Sequence, residues 1–169
     1  MKTLYLVRHA KAILENKMVK DIDRQLLEKG LKRTKYIIDF LLQKKITVDL
    51  IATSPATRAY ETARVLAHAL NFPLANIKIE RLLYEGDAAK IEDLFYDLPQ
   101  NKNNLMIVGH NPSITNFANL FLPEPIDYLP TSGIVCLQFD TDSWDEIRQL
   151  KIISNFVVTP KMLKTQLGK

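Results

Sequence analysis

Histidine and arginine side chains stand at the ends of three short apolar segments in this sequence. Arg8 and His9 come directly after one such segment, and His110 follows a second one after a single glycine. Arg58 stands five residues beyond the end of a third segment, in what we predict to be the first turn of a helix. Ligand sites in open α/β sheets lie just beyond the carboxyl ends of the strands. We therefore expect these four side chains to converge at one edge of a sheet, provided that the three strands are neighbours.

The chemistry that suits such a set is phosphoryl transfer. A neutral imidazole nitrogen can attack phosphorus in line and form a covalent phosphohistidine. The transferred group carries negative charge on its equatorial oxygens, and arginine binds such oxygens with a planar fork that stays charged. A second histidine, when protonated, donates one more hydrogen bond, and the helix N-termini after Ser54 and Gly109 add backbone N–H groups. Two histidines and two arginines at three strand ends thus predict a phosphatase site.

The elements that must position these residues alternate between strands and helices. Apolar runs predict strands at 4–7, 50–53, 76–79, 105–108, 134–139 and 147–153. Helices are predicted at 31–45, 55–70 and 88–98 and again after Pro112, and the polar residues 10–24 predict a functional loop. This alternation indicates the α/β class, with helices on both faces of a sheet. The last two strands are close enough to pair as a hairpin, so we expect part of the sheet to be antiparallel.

Composition narrows the choice of protein class. The 169 residues, of which 47% are hydrophobic and 25% charged, predict a single domain spanning 1–169. The net charge of +4 is small and the basic residues are scattered, which favours an anionic substrate over nucleic acid. Cys136 is the only cysteine, so no intramolecular disulfide is expected. The first apolar run is too short for a signal peptide and no stretch is long enough to span a membrane, which predicts a cytoplasmic protein.

Other phosphatase classes require motifs that this sequence lacks. A cysteine-dependent phosphatase needs an arginine six positions after its cysteine, but that position is Asp142. An aspartyl-phosphate phosphatase needs threonine or valine two positions after the second aspartate of Asp-x-Asp, and Gln25 stands there after Asp21 and Asp23. The sequence also has no P-loop, no Gly-x-Gly-x-x-Gly and no histidine spacing typical of a metal site. We therefore expect catalysis without a metal ion or another cofactor.

The residues around His9 resemble the signature of the histidine phosphatase superfamily, which has the phosphoglycerate-mutase-like fold. The matching segments are Leu6-Val7-Arg8-His9-Ala10, Asp23-Arg24 with Leu26 and Gly30, Thr53 to Ala63, Val108-Gly109-His110-Asn111-Pro112, and Pro130-Thr131-Ser132. They extend over almost the whole chain and are specific in combination. The chain resembles most the small SixA-type phosphohistidine phosphatases, which lack the large insertions of the mutases. This resemblance implies a three-layer αβα sandwich around a mostly parallel sheet.

The resemblance also implies a role for each matching residue. His9 is the expected nucleophile, and Arg8, Arg58 and His110 are the expected ligands of the phosphoryl oxygens. Arg24 matches an arginine that SixA-type proteins direct at the phosphate, and the backbone N–H of Asn111 is an additional expected donor. The general acid has no motif to identify it, and the local carboxylates that remain open for this role are Glu80, Glu85 and Asp87.

Two positions next to the expected site depart from the pattern of the relatives. Many relatives have Pro-Leu-Thr where this chain has Gln25-Leu26-Leu27, which removes a hydroxyl that would cap the following helix. Many also have glycine in place of Ser113. The loop geometry around the site is therefore expected to differ from that of the relatives, while the chemistry is retained.

The expected function is removal of phosphate from phosphohistidine on a partner protein, with no nucleic acid or membrane partner and the oligomeric state left open. An alternative on the same fold is a phosphatase of small phosphate esters. A mutase is disfavoured because the chain has little room for substrate-capping insertions. A non-catalytic phosphate-recognition module is disfavoured because binding alone would not require His9. His68, the third histidine, is expected to be a partly exposed helix residue.

Overall fold

A six-stranded sheet forms the centre of the computed structural model, which describes residues 1–168. The strands are β1 (Lys2–Arg8), β2 (Leu50–Thr53), β3 (Lys78–Ile79), β4 (Asn104–Gly109), β5 (Ile134–Phe139) and β6 (Ser154–Val158). Their order across the sheet is β3-β2-β4-β1-β5-β6. Only β5 runs against its neighbours, since it pairs antiparallel with both β1 and β6 while every other pair is parallel. The mostly parallel sheet predicted from the sequence is confirmed.

Helices cover both faces of this sheet. They are α1 (Glu28–Gln43), α2 (Thr57–Ala69), α3 (Leu82–Glu85), α4 (Ala88–Asp93), α5 (Ser113–Asn119) and α6 (Pro160–Gln166). Alternate residues of β1 enter opposite cores, because successive side chains of a strand point to opposite faces. Tyr5 and Val7 pack with residues of α1, α2 and α6, whereas Leu4 and Leu6 pack with residues of α3, α4 and α5. The three-layer αβα arrangement is thereby confirmed.

The start of α1 has no side-chain cap. Leu27 is the N-cap residue of α1 and its side chain makes no capping hydrogen bond, as expected for a residue without a hydroxyl, while a loop geometry different from that of the relatives stays a prediction. The preceding loop instead lies directly on the helix. A Cβ atom at Gly30 would come within 2.3 Å of the Lys11 carbonyl oxygen, so only glycine allows this approach. The loop that follows His9 is thus pressed against the first turn of α1.

The strand predicted at 147–153 is wrong. Residues Trp144–Gln149 form a 3-10 helix, and the last strand, β6, begins only at Ser154. The reason is the spacing of the apolar residues, because Trp144 and Ile147 stand three positions apart and are both buried in the core. The predicted helix at 88–98 is likewise split into α4 and a 3-10 turn, and the short helices α3 and α6 were not predicted.

Candidate active site

The three strand ends that carry the predicted site residues are adjacent in the sheet. β4 lies between β1 and β2, with Arg8 opposite Gly109 and Thr53 opposite Val108. The chain leaving each of these strands therefore enters the same space at the carboxyl edge. The ring centroids of His9 and His110 lie 5.1 Å apart as a result. The convergence expected from the sequence is present in the structure.

The His9 ring is held in one orientation by its own backbone. Its Nδ1 lies 2.7 Å from the carbonyl oxygen of Ala10, which can only accept a hydrogen bond. Nδ1 therefore carries the proton, and Nε2 retains the free electron pair that a nucleophile needs. The backbone N–H of Ala10 donates to Thr62 Oγ1 at 2.9 Å, and this hydroxyl donates in turn to the Arg58 carbonyl at 2.7 Å. These two hydrogen bonds thus connect the chain that follows His9 to α2.

Burial keeps the imidazole of His9 neutral. The side chain is 7% exposed. Burial and the repulsion of a proton by the surrounding arginines together lower the pKa of His9 to about 4, although the hydrogen bond to Ala10 acts in the opposite direction. At neutral pH the ring is consequently in the unprotonated form that a nucleophilic role would require.

Ser132 fixes the backbone at the end of β1, at Arg8 and His9. It adopts a left-handed conformation with φ 61°, which is unusual for a residue other than glycine. In this conformation its N–H points at the end of β1 and lies 3.0 Å from the Arg8 carbonyl and 3.2 Å from the His9 carbonyl. Its hydroxyl lies 2.7 Å from Thr34 Oγ1 on α1. Ser132, the last residue of the Pro130-Thr131-Ser132 motif, therefore holds the end of β1 in place. The spacing of residues in the sequence could not reveal this positioning role.

Ser54 determines which nitrogen of His110 carries the proton. Its Oγ accepts from the Ala56 N–H at 3.2 Å and lies 2.7 Å from His110 Nε2. No other acceptor for the hydroxyl proton is found among residues 1–168, so Ser54 donates to Nε2. Burial, together with the neighbouring His9 and Arg58, lowers the pKa of His110 to about 3. The neutral ring therefore presents Nδ1–H as a donor, so His110 can donate a hydrogen bond without being protonated on both nitrogens.

Arg58 and Arg24 meet on the carboxylate of Asp21, a residue that the sequence analysis did not select. Arg58 donates to the Asp21 carbonyl at 2.6 Å and to Oδ2 at 3.0 Å, while Arg24 donates to Oδ1 at 3.0 Å. Tyr84 also donates to Oδ2, at 2.8 Å. Burial alone would raise the pKa of Asp21, but these hydrogen bonds outweigh it and lower the pKa to about 2. Asp21 is thus an ionised carboxylate that orients two guanidinium groups.

Arg8 and Asn111 both bind the backbone of the loop before β5. Arg8 Nη1 donates to the Leu129 carbonyl at 3.1 Å, and Asn111 Nδ2 donates to the same oxygen at 2.9 Å. The Asn111 Oδ1 atom accepts from Thr115 Oγ1 at 2.7 Å. The side chain of Asn111 therefore forms hydrogen bonds within the protein and holds this loop. The donor role of the Asn111 backbone N–H stays a prediction.

Three buried donors in this cluster have no hydrogen-bond partner. Among residues 1–168 the buried side-chain nitrogen or oxygen atoms without a partner are Arg8 Nε, Arg58 Nε and His110 Nδ1. Buried polar groups in native proteins are almost always paired, so unpaired ones require an explanation. All three belong to the residues predicted to bind phosphoryl oxygens, and all three are donors. An oxyanion is the ligand that would satisfy them together.

Two of the three carboxylates considered for the general acid have other partners, and within residues 1–168 none of the three forms a hydrogen bond with the clustered arginines. Glu85 forms an ion pair with Arg81, and Asp87 accepts from the Lys90 N–H at the start of α4. Glu80 makes no side-chain hydrogen bond within residues 1–168 and lines a separate cavity of about 160 Å³. The carboxylate that reaches the arginines is Asp21. The Asp21-x-x-Arg24 spacing, which brings both side chains to one side of a 3-10 turn, is the signal that could have identified it.

Within residues 1–168 no group of three or more histidine, cysteine, aspartate or glutamate side chains is arranged to hold a metal ion. In the same part of the chain no helix combines the length and the apolar character needed to cross a bilayer. His68 is exposed on α2, as expected from the sequence.

Comparison with known proteins agrees with the fold. An uncharacterized protein of Picosynechococcus is 32% identical over 118 residues, which are 68% of this chain and 70% of that protein. The putative phosphohistidine phosphatase SixA of Agrobacterium tumefaciens is 25% identical with a TM-score of 0.75, covering 92% of this chain and 97% of its own. The protein histidine phosphatase SixA complexed with tungstate is 22% identical with a TM-score of 0.76, covering 95% and 99%. Residues 4–111, from β1 to the turn that carries His110 and Asn111, match the family profile, and this chain belongs to the histidine phosphatase superfamily, branch 1.

Proposed function

We propose that this protein is a phosphatase that passes the phosphoryl group through His9, and that its substrate is phosphohistidine on a partner protein. The observation that carries the proposal is the free Nε2 of a neutral, oriented His9 beside three unpaired buried donors. A nucleophile with a free electron pair and donors for the developing charge are the two parts that phosphoryl transfer requires. The likeness to the structure of the protein histidine phosphatase SixA supports the choice of substrate.

In the first step His9 Nε2 attacks phosphorus as the bond from phosphorus to the leaving nitrogen breaks. The new P–N bond places the phosphoryl group on His9, and the substrate imidazole departs with a proton on its second nitrogen. In the second step water attacks phosphorus, the bond to Nε2 breaks, and inorganic phosphate and neutral His9 are released. The proton stays on Nδ1, hydrogen-bonded to the Ala10 carbonyl oxygen, throughout, which keeps the ring in the reactive tautomer.

The proposed role of the donors is to hold the three equatorial oxygens. The Nε–H groups of Arg8 and Arg58 are available for this purpose, whereas Arg8 Nη1 binds Leu129 and both Nη groups of Arg58 bind Asp21. His110 contributes Nδ1–H, and Arg24 adds a positive charge. Fixed donors of this kind stabilise the transition state without reorganisation. The tungstate in the structure of a similar SixA protein is itself an oxyanion, which supports an oxyanion pocket here.

A turnover assay tests this proposal against a module that only binds phosphate. Purified protein is offered phosphoramidate and 4-nitrophenyl phosphate in the presence of a strong chelator, and released phosphate is measured. We expect many turnovers per protein molecule and competitive inhibition by vanadate and tungstate. Binding of these oxyanions without turnover would indicate a recognition module, and activity that a single divalent ion restores would contradict a metal-independent mechanism.

Loss of either predicted ligand arginine is expected to slow catalysis strongly. Arg8→Ala and Arg58→Ala should each lower kcat/KM at least about a hundredfold, by analogy with the removal of a preorganised oxyanion donor. Arg64→Ala is the matched control, because Arg64 lies on the same helix as Arg58 but is exposed. Steady-state kinetics with 4-nitrophenyl phosphate measures the effect, and melting temperatures verify folding. Near wild-type rates in Arg58→Ala would contradict the assigned role.

The nucleophile is expected to stay neutral in acid far below the ordinary histidine range. Because burial lowers the pKa of His9 to about 4, the ring remains unprotonated at pH 5, where a free histidine with a pKa near 6.5 is mostly charged. Nitrogen-15 NMR of the histidine rings as a function of pH measures this directly, and the His9→Ala variant assigns the signal. A His9 signal that titrates near pH 6.5 would show that burial does not protect the ring.

A further inference from the structure

Six cationic side chains form one continuous surface beside the candidate active site. These residues are Lys11, Lys29, Lys32, Arg33, Lys161 and Lys164. All but Lys11 line, together with Tyr36 and Pro160, an open cleft of about 460 Å³ between α1 and α6. Lys11 lies next to Lys29 and Arg33, since the charges of these two neighbours lower its pKa. We refer to these six residues as the basic surface.

The topology places the basic surface at the same edge of the sheet as His9. β6 runs parallel to β1, so α6, which follows it directly, starts at the carboxyl edge. α1 also starts there, because the Leu27 N–H donates at 2.9 Å to the carbonyl of Lys11, two residues after the nucleophile. Five of the cations lie on the first two turns of these two helices, and Lys11 lies in the loop before α1. They therefore border the phosphoryl pocket on its β5–β6 side.

The charge of this surface is largely uncompensated. Within residues 1–168, the ion pair that involves any of the six side chains is the one between Lys32 and Glu28, at 2.9 Å. Near β3 and α3 charges of both signs are interspersed: the carboxylates are Glu80, Glu85 and Asp87, and the cations are Lys78, Arg81 and Lys90. One of these carboxylates, Glu85, forms an ion pair with Arg81. The uncompensated positive charge therefore lies on the side of α1 and α6.

On the basis of the proposed function, we propose that the basic surface docks acidic side chains that flank the phosphohistidine of a partner protein. A ligand that occupies the phosphoryl pocket and also contacts Lys29, Lys32 and Arg33 must extend beyond the pocket along about 6 Å of α1, at 1.5 Å per residue over residues 29–33. A phosphohistidine on a protein surface, with other side chains beside it, can make both contacts at once. Five of the six cations are lysines, whose exposed ammonium groups suit flexible surface carboxylates. Complementary charge of this kind mainly accelerates and orients association.

Charge reversal tests the docking. The variants Lys29→Glu/Arg33→Glu and Lys161→Glu/Lys164→Glu each change the charge by −4 at the proposed surface. Lys44→Glu/Lys151→Glu makes the same change at the opposite edge of the sheet and serves as the control. The substrates are an acidic histidine phosphotransfer domain phosphorylated chemically with phosphoramidate, and 4-nitrophenyl phosphate. Melting temperatures establish that each variant is folded.

We expect kcat/KM toward the phosphoprotein to fall at least about tenfold in each of the two surface variants, mainly through a higher KM. With 4-nitrophenyl phosphate, both surface variants should retain wild-type kinetics. The wild-type value for the phosphoprotein should also fall as salt rises from 50 to 300 mM, and the variants should respond less, because salt screens exposed charges. Equal kinetics of surface and control variants on the phosphoprotein would overturn the docking alone. Failure of the wild-type protein to release phosphate from either substrate would overturn the proposed function itself, and with it the docking.

Discussion

His9→Ala is expected to lower kcat by at least about four orders of magnitude, in the range known for removal of a catalytic nucleophile. The methyl group cannot accept the phosphoryl group, and no other side chain in the cluster offers an unprotonated nitrogen in the same place. His110 cannot substitute, because the hydroxyl of Ser54 occupies its Nε2 and its Nδ1 carries the proton. The measurement is phosphate release under saturating substrate, with the phosphoprotein and with 4-nitrophenyl phosphate.

Two controls separate a lost nucleophile from a lost fold. His68→Ala removes an exposed histidine on α2 and should retain wild-type kinetics. His9→Ala itself should still bind vanadate or tungstate, because Arg8, Arg58 and His110 remain in place. A variant that binds the oxyanion but does not turn over has lost the chemistry alone. Substantial turnover by folded His9→Ala would assign the nucleophile elsewhere.

Phosphohistidine on a protein is expected to be hydrolysed at least about a thousandfold more efficiently, in kcat/KM, than an alkyl phosphate. An alkoxide leaving group is strongly basic and needs a proton from a well-placed acid, an effect worth roughly 10²–10⁴-fold. The carboxylate within the arginine cluster is Asp21, and a pKa of about 2 leaves it ionised at neutral pH. An imidazole leaving group carries a proton on its other nitrogen and needs no such acid. The site therefore favours cleavage of P–N over P–O bonds.

The comparison is made between the phosphorylated phosphotransfer domain and a sugar phosphate, with 4-nitrophenyl phosphate as a third substrate. The nitrophenolate is a good leaving group, so its efficiency should lie between the other two. Equal or higher efficiency on the sugar phosphate would move the assignment to a small-molecule phosphatase. In that case replacement of Asp21, Glu80, Glu85 and Asp87 in turn would identify the proton donor that such a reaction requires.

The parts of this molecule that could be predicted from the sequence depend on local patterns. The strands at 50–53 and 134–139 have the predicted bounds. Each is a short apolar run between polar residues, a pattern that predicts a buried strand. The convergence of Arg8, His9 and His110 followed from a topological rule, since the carboxyl ends of neighbouring parallel strands share one edge.

The parts that could not be predicted depend on contacts between distant segments. Asp21 acquires its role from Arg58 and Tyr84, which are 37 and 63 residues away in the sequence. The tautomer of His110 depends on Ser54, and the backbone of the nucleophile depends on Ser132, neither of which forms a local pattern. The basic surface depends on α6, a seven-residue helix whose position beside α1 appears only in the folded chain.

The central claim is that the phosphoryl group passes through His9, and a trapping experiment tests it most directly. The protein is mixed with a phosphotransfer domain that carries ³²P on its histidine, and the reaction is stopped within milliseconds by denaturation at alkaline pH, where a phosphoramidate survives. Digestion and mass spectrometry then locate the label. We predict that the label appears on His9 within the first turnover and disappears as inorganic phosphate is released. Label on any other residue, or turnover by the folded His9→Ala variant without a labelled intermediate, would contradict the claim.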